Sequence, residues 1–278
     1  MKMMRCGFLV VISLLALGFS IGKAEDTEED VHMREELGVN EFTTPSIRWL
    51  LVEFETFVPI SMDYVDVEHR DYTYPNRVQT ALHFGSIIAD GFIVVMNERR
   101  ADVREIGRAL LRQAKALGVG ESLARRSNSL FQMGDAGDWV NLRLELVGAQ
   151  KDVEEAMMQL HDEQMAHLIS LGGWLKGFYA AAQSTASNYS SQRAEGLRNA
   201  EIMDYFIDRL DTLHPRLKAT ELIRLLTSRL KTAHKIVEGA IEQDRALTRS
   251  EVEELAALAK EMNDAARAKV DEKGAFVR

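Results

Sequence analysis

The chain has 278 residues, 46% of them hydrophobic and 28% charged, with a formal net charge of −9. That balance excludes a disordered chain, and the acidity argues against a nucleic-acid partner, whose phosphates it would repel. The single cysteine, Cys6, excludes a disulfide-stapled scaffold and a thiolate metal site.

Residues 1–24 have the three parts of a secretory signal peptide. Lys2 and Arg5 form a positive start, Gly7 to Ile21 is an uncharged, mostly apolar run, and Gly22-Lys23-Ala24 places small residues at the −3 and −1 positions. Cleavage is expected between Ala24 and Glu25. The apolar run is short for a bilayer core of about 30 Å, and an acidic stretch follows at once. An uncleaved anchor is the less favoured reading, and no membrane span is expected after cleavage. Removal takes Cys6 and three positive charges, leaving a net charge of −12. The expected location is periplasmic or secreted.

Residues 25–36 form an acidic lead-in, and Thr44-Pro45 opens the first clear helix, which stops before Pro59. Residues 58–75 are the long irregular stretch. Asp63, Asp66, Glu68, His69 and Asp71 alternate there with Tyr64, Tyr72 and Tyr74, a pattern suited to a recognition segment or lid. These carboxylates lack the alternation and glycine of an EF-hand loop. From Ala81 to Met96 the chain is apolar nearly all round, which predicts a buried central helix at about 76–97.

A helix is predicted over 99–117, ended by Gly118, and a short one over 121–132, before a turn at Gly134-Asp135-Ala136-Gly137. Asp138 can cap the next segment, read as one long helix over 139–182. Val140, Leu142, Leu144 and Leu146 alternate as in a strand, but Leu, Arg and Glu favour helix, so helix is the preferred reading. Ser184 to Ser191 marks a break. Helices are expected at 194–213, 216–243 and 249–270, the last with a capping box in Thr248-Arg249-Ser250-Glu251, Glu253 lying three beyond Ser250. The expected architecture is therefore all-α, a multi-helix antiparallel bundle or short helical array around the central helix. One domain over 25–278 is expected, with a candidate sub-boundary near 183–193.

Candidate chemistry is sparse. His83 and Asp90 lie seven residues apart, within about 20° of one face of the central helix. A buried carboxylate needs a partner, so the pair marks either a ligand site or a structural hydrogen-bond pair, the second being the commoner case. Gly85, Ser86, Ala89 and Gly91 on that helix allow a neighbouring backbone to come close. Glu163, Gln164 and His167 form a second polar group, and His234 with Glu238 repeats an i,i+4 pairing. Neither spacing matches a metal-carboxylate bundle or a zinc hydrolase, so no metal and no cofactor are expected.

Arg100, Arg104, Arg108 and Arg112 make a cationic ridge at strict i+4 spacing. It can receive an acidic partner or dock internally against acidic segments, and internal docking is favoured. No nucleophile elbow, phosphate loop or dinucleotide fingerprint occurs, so no catalytic residue is assigned. The expected function is an exported binding or assembly module for an envelope protein or small ligand. The alternative is a ligand- or metal-binding protein or enzyme with a polar site at His83, Asp90 and His167.

Overall fold

The computed structural model describes residues 60–277 except 69 and 272. The predicted signal peptide with its Ala24–Glu25 cleavage site, the acidic lead-in, the helix opened by Pro45, and His69 lie outside the described residues.

The described chain is helical: α1 (Arg77–Met96), α2 (Arg100–Leu117), α3 (Gly120–Ala136), α4 (Trp139–Gln159), α5 (Glu163–Ser187), α6 (Ser191–Glu195), α7 (Ala200–Thr212), α8 (Pro215–Lys218), α9 (Glu221–Glu242) and α10 (Arg249–Arg267). Among the described residues the only extended pairing is a single bridge between Val270 and Phe276. Local sequence sets most boundaries. Asn76 accepts from the amides of Val78 and Gln79 to open α1, and Asp138 accepts from Asn141 to open α4. Gly118 and Gly137 close α2 and α3 in the left-handed region, at φ 88° and 71°. Thr248 and Glu251 form a capping box on α10, two residues earlier than the Ser250–Glu253 alternative.

Several boundaries differ from expectation, beginning with α3, which continues as helix through Gly134, Asp135 and Ala136, where a turn was expected, and ends at Gly137. The segment over 139–182 is not one helix. It breaks at Leu160–Asp162, where His161 takes a positive φ of 56°. The chain then doubles back, so that Gln150 of α4 meets Ser170 of α5. The other two breaks divide 194–213 at Gly196–Asn199 and 216–243 at Ala219–Thr220, each restarted by a side-chain cap, Asn199 and Thr220. The alternation at 140–146 resolves as helix. Leu142 and Leu146 lie about 40° apart on the buried side, while Val140 and Leu144 share the opposite, exposed side.

Helices α1 to α5 pack on one another in succession, and α1 packs most extensively on α5 and also touches α2, α4 and α10. Helix α1 is long and apolar enough to cross a membrane, yet neighbours cover it almost completely. Its crossing with α5 depends on glycine. A Cβ on Gly85 would lie 1.9 Å from the Ile169 carbonyl oxygen, and one on Gly172 would lie 2.0 Å from that of Leu82. Backbone therefore meets backbone at this crossing, as the small residues of the central helix suggested. Helix α10 lies along α5 and pairs with α9, which packs on α7. The Ser-rich region near 183–193 is tied to α10 and its preceding turn by hydrogen bonds from Gln183 to the Ala256 carbonyl and from the Tyr189 hydroxyl to the Leu247 carbonyl.

Candidate functional site

Asp90 is the buried carboxylate of the mostly apolar helix α1, and its partner comes from α5. Lys176 Nζ lies 3.2 Å from Asp90 Oδ1, with the two side chains 1% and 2% exposed. Burial pushes the Asp90 carboxyl above its usual range, opposed by the Lys176 ammonium and by the backbone amide of Asp66. That amide donates to Asp90 Oδ2 at 3.2 Å. The Asp66 carboxylate in turn accepts from Arg267 Nη1 at 2.6 Å, and Arg267 Nη2 donates to Asp264 Oδ1 at 2.7 Å. Exposure rises along this chain, from Lys176 in the core to Asp264, 44% exposed at the surface of α10.

The Lys176, Asp90, Asp66 and Arg267 set is electrically balanced, two cations against two anions. Each buried charge therefore has an opposite charge or an amide within hydrogen-bonding reach, which is the condition for tolerating it in a core. Burial works against the Arg267 guanidinium, but its bonds to Asp66 and Asp264 outweigh this and push its pKa up. Aromatic rings close the set. Tyr179 lies under Lys176 Nζ at 5.6 Å and makes an edge contact with Tyr64, and burial raises both the Tyr179 hydroxyl and that of Tyr74, the latter to about 12.

Further contacts tie the described residues of the irregular segment at 60–75 to neighbouring helices. Besides Asp66, the Ile60 carbonyl accepts from Asn97 Nδ2 at 3.0 Å and the Tyr72 carbonyl from Gln113 Nε2 at 2.7 Å. The Tyr74 carbonyl accepts from Thr80, and Asp71 pairs with Arg112. Val65, Asp66, Arg70 and Tyr74 are buried, whereas Asp63, Val67, Glu68, Asp71 and Tyr72 are exposed. The loop is thus held from within by α1, α2 and α10 and turns a mixed acidic and apolar face outward.

The other expected site residues do not join this group. His83 is buried and makes an edge contact with the Tyr74 ring at 5.2 Å, two turns from Asp90. His167 meets the Tyr205 hydroxyl at 3.2 Å, and burial, aided by Arg209, lowers its pKa to about 4. Gln164 Oε1 accepts from the His214 amide at 2.8 Å, and Glu163 is exposed in the first turn of α5. His83, Asp90, Gln164 and His167 therefore sit in separate contacts and Glu163 is exposed, because α5 meets α1 along one face and α7 along another. His234 pairs with Asp204 at 3.0 Å and Glu238 at 3.6 Å. Among the described residues no group of three or more His, Asp or Glu side chains is placed to hold a metal ion.

The arginine ridge is engaged internally. Arg104 pairs with Asp135 of α3, Arg108 with Glu105, and Arg112 with Asp71, while the Arg100 guanidinium sits against Gly137. Lys176 was not singled out by sequence, although it is the only Asp, Glu, Lys or Arg between Glu163 and Arg193. A second group that patterning missed joins α4 to α5, where Gln150 Nε2 donates to Ser170 Oγ at 3.1 Å and Ser170 donates to Glu154 at 2.6 Å.

No protein-family model, curated protein or solved structure matches this chain.

Proposed function

We propose that the protein is an exported helical binding module, periplasmic or secreted, which presents the 60–75 loop to a protein partner. One observation carries this reading: a loop whose described residues have no regular structure beyond short turns is held from inside by charged side chains on two helices, Asp90 on α1 and Arg267 on α10. Ordering such a loop during binding would cost roughly 1–2 kcal/mol per residue in backbone entropy. A loop already ordered avoids that cost, which is the physical advantage of preorganisation.

The outward side chains suggest the partner's chemistry. Val67 is 65% exposed and Tyr72 49% exposed, flanked by Asp63 and Glu68, while Asp71 is paired with Arg112. An apolar and aromatic pair with an acidic rim suits a basic surface with an apolar centre. The arginine ridge contributes less to this reading, since three of its four guanidiniums have carboxylate partners within the chain.

The test is quantitative capture by immobilised protein from the envelope fraction, comparing wild type with V67S/Y72S and with R104Q/R108Q. The loop variant is expected to lose the captured partner and the arginine variant to keep it, with helical circular dichroism unchanged in both. Undiminished capture by V67S/Y72S would refute the assignment of the loop.

A further inference from the structure

At the far end of the chain, α7, α8 and α9 enclose a groove of about 480 Å³, within the size range of small-molecule sites. Four cations line it, Lys218, Arg224, Lys231 and Lys235, against one carboxylate, Asp211. The groove is therefore positive by three charges in a chain whose net charge is −9. Clustering of this kind is not required for folding, because exposed like charges repel and contribute little to stability.

The arrangement has direction. Arg224, Ser228, Lys231 and Lys235 follow at intervals of four, three and four residues, so they form one stripe along α9, about 16 Å long at 1.5 Å per residue. Asp211 accepts from Lys231 at 2.9 Å, and Lys218 donates to the Asp211 carbonyl at 2.5 Å. That carboxylate partly neutralises two of the lysines. Arg224 and Lys235 at the two ends of the stripe hold no ion pair among the described residues.

We propose that this groove binds a soluble, multiply charged phosphoryl compound, a short oligophosphate or a small molecule bearing one. Several cations spread over a stripe call for an anion with its charge distributed along its length, which a single carboxylate lacks. The Arg224 fork can meet a phosphoryl group bidentately, and the lysine ammoniums and the Ser228 hydroxyl can donate to further oxygens along the anion. The site is independent of the 60–75 loop and of the function proposed for it.

The experiment is calorimetric titration of the full chain with tripolyphosphate at low ionic strength, alongside two variants that lose the same charge. R224Q/K235Q is expected to weaken binding roughly tenfold or more, while R104Q/R108Q on α2 changes it less than about twofold. Raising the salt to screen the groove should weaken wild-type binding. Thermal melts of both variants verify that each remains folded. Absence of wild-type binding overturns the proposal, and so does equal weakening by the two variants, which would mean a diffuse charge effect. Sedimentation with vesicles of phosphatidylcholine and phosphatidylglycerol at three to one separates a lipid headgroup from a soluble ligand. Vesicle binding that depends on Arg224 and Lys235, without tripolyphosphate binding, would overturn the soluble assignment.

Discussion

Replacing Lys176 by Met removes the ammonium and keeps most of the side-chain volume, so it isolates the charge that balances Asp90. At 3.2 Å and an effective dielectric near 20, the pair attracts by roughly 5 kcal/mol. The variant leaves Asp90 in the core with the Asp66 amide as its remaining donor. Breaking one side of a buried pair in this way is expected to cost about 3–5 kcal/mol, which lowers the melting temperature by roughly 6–20 °C. The double variant D90N/K176M removes both charges and leaves an amide oxygen to accept from Asp66, so it should recover most of that loss. The pH dependence has a defined sign. The Asp90 carboxyl is already raised by burial, and losing Lys176 raises it further, so the folded variant takes up a proton that the unfolded chain does not. The deficit of K176M should therefore shrink as pH falls below neutrality and grow as it rises. Urea unfolding followed by far-ultraviolet circular dichroism measures all three proteins. A K176M loss under about 1 kcal/mol, or a double variant as unstable as the single, would refute the buried-pair account.

Glycine positions on two helices should respond in opposite directions. G85A drives a methyl into the Ile169 carbonyl and is expected to lose 3 kcal/mol or more on the ~1–3 kcal/mol scale of overpacking, whereas G239A, with no atom within 4 Å, should gain about 0.5–1 kcal/mol. Chemical denaturation of each variant decides the matter. His167 is held neutral down to about pH 4, below its ordinary value of 6.5, so the folded state binds fewer protons than the unfolded chain between these values. Stability is complete above pH 6.5 and should fall by about 2–3 kcal/mol as pH drops to 4, a slope that H167Q should flatten in unfolding curves at pH 7.5, 5.5 and 4.5. Glu251, held to about 2 chiefly by Arg245 and also by Thr248, contributes stability above its ordinary pKa that is lost as pH falls towards 2. E251Q should lose about 1 kcal/mol at pH 7 and show a shallower acid transition. The proposed export predicts a mature N-terminus at Glu25, read by intact mass of the protein recovered outside the cytoplasm. An N-terminus at Met1 in that fraction would contradict cleavage.

The sequence carried the helical periods and most of their ends because those depend on neighbours. Asn76, Gly118, Asp138 and Thr248 act on amides or backbone angles within a few residues. The break at His161 was hidden, since neither glycine nor proline marks it and the packing of α5 against α4 and α1 decides where the chain turns. The site was half legible. Asp90 announced itself as a charge on an apolar helix, and Lys176 offered the same signal on α5, but only the helix crossing pairs residues 86 positions apart. His83 and His167 looked related because each is polar on an apolar face, yet Tyr74 and Tyr205 take them into different contacts. The ridge on α2 was legible as a stripe, and its partners Asp135 and Asp71 were settled only by the placement of α3 and the loop.

The central claim is that the 60–75 loop is already ordered in the free protein because buried charges hold it. Amide hydrogen exchange of peptides spanning 62–74 tests this directly in wild type and K176M. Strong protection in wild type, centred on the Asp66 amide and reduced in K176M more than in peptides from α9, is the predicted result. Exchange of the wild-type loop at the rate of an unstructured peptide would contradict the account.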